Sequence, residues 1–130
     1  MKIMTLDIMK KLPARYANES IGLDAPVVFK LFYPDFDWTW FISEGTPYVK
    51  NASGEQEEFE NYQAVLDAGY TADDIEEWVF FGLVDGFDAE LGYFHLSELL
   101  ATKGKMGCSI ERDKYFADAT LKEVMEKAIA

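Results

Sequence analysis

The run Trp78-Val79-Phe80-Phe81-Gly82-Leu83-Val84 constrains the fold of this chain more than any other feature. Apolar side chains at consecutive positions leave a strand no wet side, so this run reads as a central strand buried on both faces. Other strands are available to pair with it. Val27 to Tyr33 is rich in β-branched and aromatic residues. Phe36 to Ser43 alternates, with Trp38, Trp40 and Ile42 on one face and Asp37, Thr39, Phe41 and Ser43 on the other. Pro34-Asp35 between them is a turn, so the two strands form a hairpin. Thr46 to Lys50 extends the sheet, and Asn51 to Gly54 is a polar loop. Asp85-Gly86 turns the chain after the apolar run, and Leu91 to Leu96 returns as a strand. Ile110 to Phe116 alternates weakly, as an edge strand or an ordered loop.

Helical spacing accounts for the rest. Thr5 to Lys11 is a short helix ended by Pro13. Glu57 to Ala68 places Phe59, Tyr62 and Leu66 along one side, with Val65 beside them and Gly69 at the C-terminal cap. Thr71 caps a short turn through Asp73 and Asp74. Ser97 caps a short helix through Leu99 and Leu100. Thr120 and Glu123 form a capping box for a last helix with Leu121, Val124, Met125 and Ile129 as its apolar stripe. Strands joined by short turns, with helices interspersed, predict one α+β domain over residues 1–130. Its sheet is mainly antiparallel, with helices packed against it and Trp40, Phe80 and Leu83 buried. A chain of 130 residues holds one such domain.

Charge is the second constraint. No Lys or Arg occurs from Asn51 to Thr102, a stretch holding 13 of the 24 acids. The remainder, with 11 acids and all 12 bases, is nearly neutral, so the formal charge of -12 comes from the middle of the chain. Glu55, Glu57, Glu58, Glu60, Asp73, Asp74, Glu76 and Glu77 dominate it. Burying unpaired carboxylates is costly and no base lies near them in sequence, so these eight are expected to face solvent. Such a field repels nucleic acid and attracts a protein with a basic surface; equally, it keeps a protein soluble.

Catalytic patterns are sparse. One Cys and one His exclude an internal disulfide and the usual structural zinc sets. A single thiol and the absence of a secretory pattern point to a reducing, cytoplasmic setting. No apolar run approaches the roughly 20 residues of a membrane span. The glycines match no phosphate or dinucleotide loop, so no cofactor is expected. His95 reads as an ordinary strand residue. Cys108 reads as inert, or as a reactive thiol if Lys103 and Lys105 lower its pKa. Asp85, Asp88 and Glu90 read as turn chemistry rather than a cation site. Arg112, within Glu111-Arg112-Asp113, reads as an ion pair locking a loop to the sheet. Trp38 and Trp40 read as core residues rather than a ligand-stacking pair.

Several segments together carry a resemblance. They are Leu12-Pro13-x-x-Tyr16-Ala17, the Val27 to Phe32 strand, Trp38-Thr39-Trp40 and Phe80-Phe81-Gly82-Leu83-Val84-x-Gly86. Glu90-Leu91-Gly92-Tyr93-Phe94, Ser97-Glu98-Leu99 and Ile110-Glu111-Arg112-Asp113-x-Tyr115-Phe116 continue the set. In this order they resemble domain-of-unknown-function family 2958, small bacterial proteins of plasmids, phages and other mobile elements. Two departures stand out. Thr46 to Glu77 is a longer, acidic insertion relative to that family, and Cys108-Ser109 stands where the family more often has Leu-Pro. The resemblance implies a context in mobile elements near anti-restriction genes, and it brings no catalytic residues. Joined to the acidic stretch, it leads to a non-enzymatic protein-binding inhibitor of a host defence system, of anti-restriction or anti-CRISPR type, with a nucleic-acid-mimicking face. Two other readings stay open. One is a small enzyme or ligand-binding domain with a pocket near Asp85, Glu90, Tyr93 and His95; the other is a plasmid-maintenance or housekeeping protein. The oligomeric state is left open by the sequence.

Overall fold

The computed structural model describes residues 2–129; the two end residues of the expected 1–130 domain lie outside the described residues. The fold is built on a long strand, β2 (Phe36–Lys50), which runs without a break through both the Trp38–Ile42 alternation and Thr46 to Lys50. On one side β2 pairs along almost its whole length with β4 (Ile75–Asp85), from Thr39↔Asp85 to Val49↔Ile75. On the other side its first half pairs with β1 (Phe29–Tyr33) and its end with β3 (Gln56–Glu58). β5 (Ala89–His95) adds to the outer side of β4, and the two-residue β6 (Glu111–Arg112) to the outer side of β1. The result is a six-stranded, fully antiparallel sheet among the described residues, in the order β5-β4-β2-β1-β6 with β3 beside the end of β2.

Both faces of the sheet are covered. On one face lie α1 (Leu6–Lys11), α2 (Tyr62–Asp67) and α3 (Leu96–Ala101). Their Ile8, Met9, Tyr62 and Leu99 join a cluster with Leu31, Trp40, Ile42, Trp78 and Phe80. On the other face α4 (Leu121–Ile129) sets Leu121 and Val124 against Ala25, Val27 and Leu83. The apolar run is therefore split by strand alternation, with Trp78 and Phe80 facing one layer and Leu83 the other. Trp40, Phe80 and Leu83 are buried as expected, and each such side chain stabilises the fold by about 1.5–3 kcal/mol. The capping box of α4 forms as read: Thr120 N–H donates to Glu123 Oε1, and Glu123 N–H donates to Thr120 Oγ1.

Two local expectations are corrected, and one open reading is resolved. Glu57 to Ala68 is not one helix. Asn51 Oδ1 accepts N–H bonds from Ser53 and Glu55, which folds Asn51 to Gly54 into a turn. That turn delivers Gln56 to Glu58 back onto β2 as β3, where pairing outweighs the helical preference of glutamate. Helix begins only after Asn61, whose Oδ1 accepts from Ala64 N at 2.9 Å. Its buried residues are Tyr62 and Val65, while Leu66 is exposed. Ser97 is not a cap: it lies inside α3, where His95 holds the N-cap position without a side-chain bond. Of Ile110 to Phe116, only Glu111-Arg112 pairs as strand, and the rest is an ordered loop.

Candidate functional site

The register of β2 assembles the acidic residues. Tyr48 pairs with Glu58 on one side and Glu77 on the other, and Val49 lies between Glu57 and Ile75. Neighbouring strands are ~4.8 Å apart, so β3 and the start of β4 run ~10 Å from each other across the end of β2. Two acidic segments, Glu55 to Glu60 and Asp73 to Glu76, thus come to one end of the sheet. Seven of the eight expected carboxylates there are exposed.

The eighth is not. Glu77 is largely covered, because it joins β4 to α3. Its Oε1 accepts from Trp78 N (2.9 Å) and Ser97 N (3.0 Å), its Oε2 accepts from Ser97 Oγ, and His95 Nδ1 lies 3.7 Å away. A second correction concerns pairing. Arg15, distant in sequence, reaches Glu58 at 3.2 Å and donates to the Tyr48 hydroxyl at 3.0 Å. The hydrogen bond to Tyr48, opposed by burial and helped by Glu58, raises the guanidinium pKa further. Asp74 is turned inward to its own cap, accepting from Thr71 N–H at 2.7 Å. Glu55, Glu57, Glu60, Asp73 and Glu76 have no cationic partner among the described residues.

Asp85, Glu90, Tyr93 and His95 do not converge. Alternation along β5 places Tyr93 and His95 on one face and Glu90 and Phe94 on the other, while Asp85 sits opposite Ala89 at the far end. Tyr93 borders a cavity of about 290 Å³, shared with Tyr16, Ser43, Glu44, Phe81 and Leu91 and with none of the other three. A bulge at Ile42/Glu44 aims Glu44 into the molecule, where it is 5% exposed. Its Oε1 accepts from Tyr16 N and its Oε2 from Asn18 N, both at 3.0 Å. These bonds hold Tyr16 at φ 68°, a left-handed conformation unusual for a tyrosine. Burial first, then hydrogen bonding with Tyr16 and the Glu44 carboxylate, push the Tyr93 phenol pKa up against the opposing Arg15. Glu44 was missed because a lone acid in an alternating strand gives no sign of the bulge.

The mixed-charge run is a brace. Arg112 donates to the carbonyls of Lys2 and Ile3, both at 2.7 Å, and beside it Lys30 pairs with Asp113 at 3.6 Å. Glu111 pairs opposite Phe32 on the sheet edge. Cys108 is half-buried, and its thiol pKa is raised by burial and by Asp35 rather than lowered by lysines. Lys103 instead donates to Ser109 Oγ, and Lys105 lies over the Phe36 ring. Among the described residues no three His, Cys, Asp or Glu side chains group to hold a metal ion. No helix among them is long and apolar enough to cross a membrane.

Residues 66–129 match a family model described as protein of unknown function (DUF2958). Over that stretch the chain is similar to the DUF2958 family. The match takes in Asp73 to Glu77, β4, β5, α3, β6 and nearly all the rest of the chain beyond them, as the motifs from Phe80 to Phe116 imply. Glu55 to Glu60 fall outside it. Neither a curated protein nor a solved structure matches the chain.

Proposed function

We propose that this protein is a non-enzymatic accessory protein of a mobile genetic element or phage, and that it inhibits a host defence protein by covering its basic, nucleic-acid-binding surface. The observation that carries this reading is the convergence of Glu55, Glu57, Glu60, Asp73 and Glu76 at one end of the sheet without cationic partners among the described residues. Duplex DNA presents one charge per roughly 1.7 Å of axis, so a mimic needs carboxylates gathered from more than one segment. Pairing of both β3 and β4 with the end of β2 gathers them. The mobile-element setting rests on the family resemblance, and the absence of a role for catalysis rests on the dispersal of Asp85, Glu90 and His95.

Binding by such a face is steered by charge and screened over about 8 Å at physiological ionic strength. A tagged protein first captures its partner from a bacterial lysate. Association is then measured at low and high salt for the wild type and for a variant carrying Glu55→Gln, Glu57→Gln, Glu60→Gln and Glu76→Gln. The expected result is slower association in high salt and in the variant at low salt, with folding unchanged. Equal rates and affinities in all four conditions overturn the reading and leave the acids as a solubility device.

A further inference from the structure

The groove between the β1–β2 hairpin, the β4–β5 turn and α3 has a volume of about 620 Å³, inside the range of roughly 300–1,000 Å³ that small-molecule sites occupy. One wall is an aromatic ladder. Alternation along β2 puts Phe36, Trp38 and Trp40 on the same face, and the Phe36 and Trp38 rings are nearly parallel, 17° apart with centroids at 6.3 Å. Trp38 is only half-buried. At the mouth, Phe87 is 91% exposed yet stands edge-on to Trp38 at 5.3 Å. Gly86 permits that approach, because a Cβ there would come within 2.7 Å of the Trp38 ring. A contiguous aromatic surface that stays open to solvent and is rimmed by polar residues marks a binding surface.

The opposite wall is preformed. The Tyr33 hydroxyl donates to the Leu99 carbonyl at 2.6 Å, which ties down α3. Asp35 Oδ2 accepts from Met106 N at 2.5 Å and Cys108 N at 3.2 Å, which fixes the loop that follows. That loop carries Lys103 and Lys105 to the groove, both exposed, with Glu98 as the acid on the same wall. The Lys105 ammonium lies 5.5 Å from the centre of the Phe36 ring. In a chain of net charge -12, with no base from Asn51 to Thr102, this groove joins flat indole faces to two cations.

We propose that the groove binds a small planar aromatic anion, its ring against Trp38 and its charge toward Lys103 and Lys105. Ring stacking uses the indole face, and the ammonium groups select negative charge. The chain's overall field disfavours a long polyanion, which points to a free small molecule. A nucleoside monophosphate and an aromatic carboxylate share this chemistry.

The test titrates the protein with AMP against adenosine, and with 2-naphthoate against 2-naphthamide. Calorimetry gives the affinities, and the three tryptophan indole N–H resonances give the site. The expected result is saturable shifts of Trp38 and Trp40, with Trp78, buried outside the groove, unmoved. Each anion binds roughly tenfold more tightly than its neutral counterpart, and if only one pair does so, that pair names the source. Lys103→Gln with Lys105→Gln, both at exposed positions, abolishes the preference, and Trp38→Ser abolishes binding. The proposal is overturned by absence of saturation with every probe, by equal binding of anion and neutral partner, or by a preference unchanged in the double-lysine variant. None of these residues belongs to the acidic end of the sheet, so the outcome is independent of the partner reading.

Discussion

Glu44→Ala tests how the buried carboxylate holds the segment before β1. The substitution removes two hydrogen bonds of 3.0 Å from backbone N–H groups to a charged acceptor, each worth about 1.5–3 kcal/mol net. Two effects work against that loss. Deleting a buried charge returns part of its desolvation cost. Releasing Tyr16 from φ 68° also recovers about 1–2 kcal/mol of left-handed strain. The balance is a destabilisation of about 2–3 kcal/mol, and Glu44→Gln, which keeps one acceptor, costs roughly half as much. Urea unfolding followed by tryptophan fluorescence measures it as a fall in midpoint with the slope unchanged. Tyr16→Gly supplies the control: its side chain is 62% exposed, so relief of strain stabilises the otherwise intact protein by about 1 kcal/mol. Combining it with Glu44→Ala is non-additive, because the strain that Tyr16→Gly removes is already released. A Glu44→Ala protein within about 0.5 kcal/mol of the wild type, the usual scatter of surface substitutions, refutes the reasoning.

Two further outcomes follow from Asp35. Burial raises its carboxyl pKa, but the N–H bonds from Met106 and Cys108 outweigh burial and leave it below the usual carboxylate range. A depressed folded pKa contributes stability that is present above the unfolded value of about 3.9 and is lost as pH falls below it; Asp35→Asn therefore flattens the acid limb of a urea-midpoint profile, and an unchanged slope counts against the tether. The raised thiol pKa of Cys108, due to burial and to Asp35, predicts slow alkylation at neutral pH that accelerates in Asp35→Asn, whereas alkylation at the rate of a free thiol contradicts the assignment.

Much of the chemistry between near neighbours was legible, although the cap read at Ser97 was not the one that formed. The turn begun at Thr71, the capping box at Thr120, the turn at Pro34-Asp35 and the left-handed Gly69 after α2 all form where the spacing put them. The apolar run at Trp78 and the alternation at Trp38 identified the core strands, because burial on two faces and on one face leave different periods. Exposure of most of the acids was equally determined by the sequence, since carboxylates without bases nearby stay in water. Pairing partners were not. Whether Gln56 to Glu58 became helix or strand depended on the Asn51 turn returning it to β2. Glu77 left solvent because Ser97 met it from a distant position, and Glu58, still exposed, gained a partner because Arg15 did. Lys103 and Lys105 reached the aromatic ladder only because Asp35 holds their loop there. Period and charge are properties of a segment and can be read in one; a contact between segments depends on register, which is set when the whole sheet closes over its core.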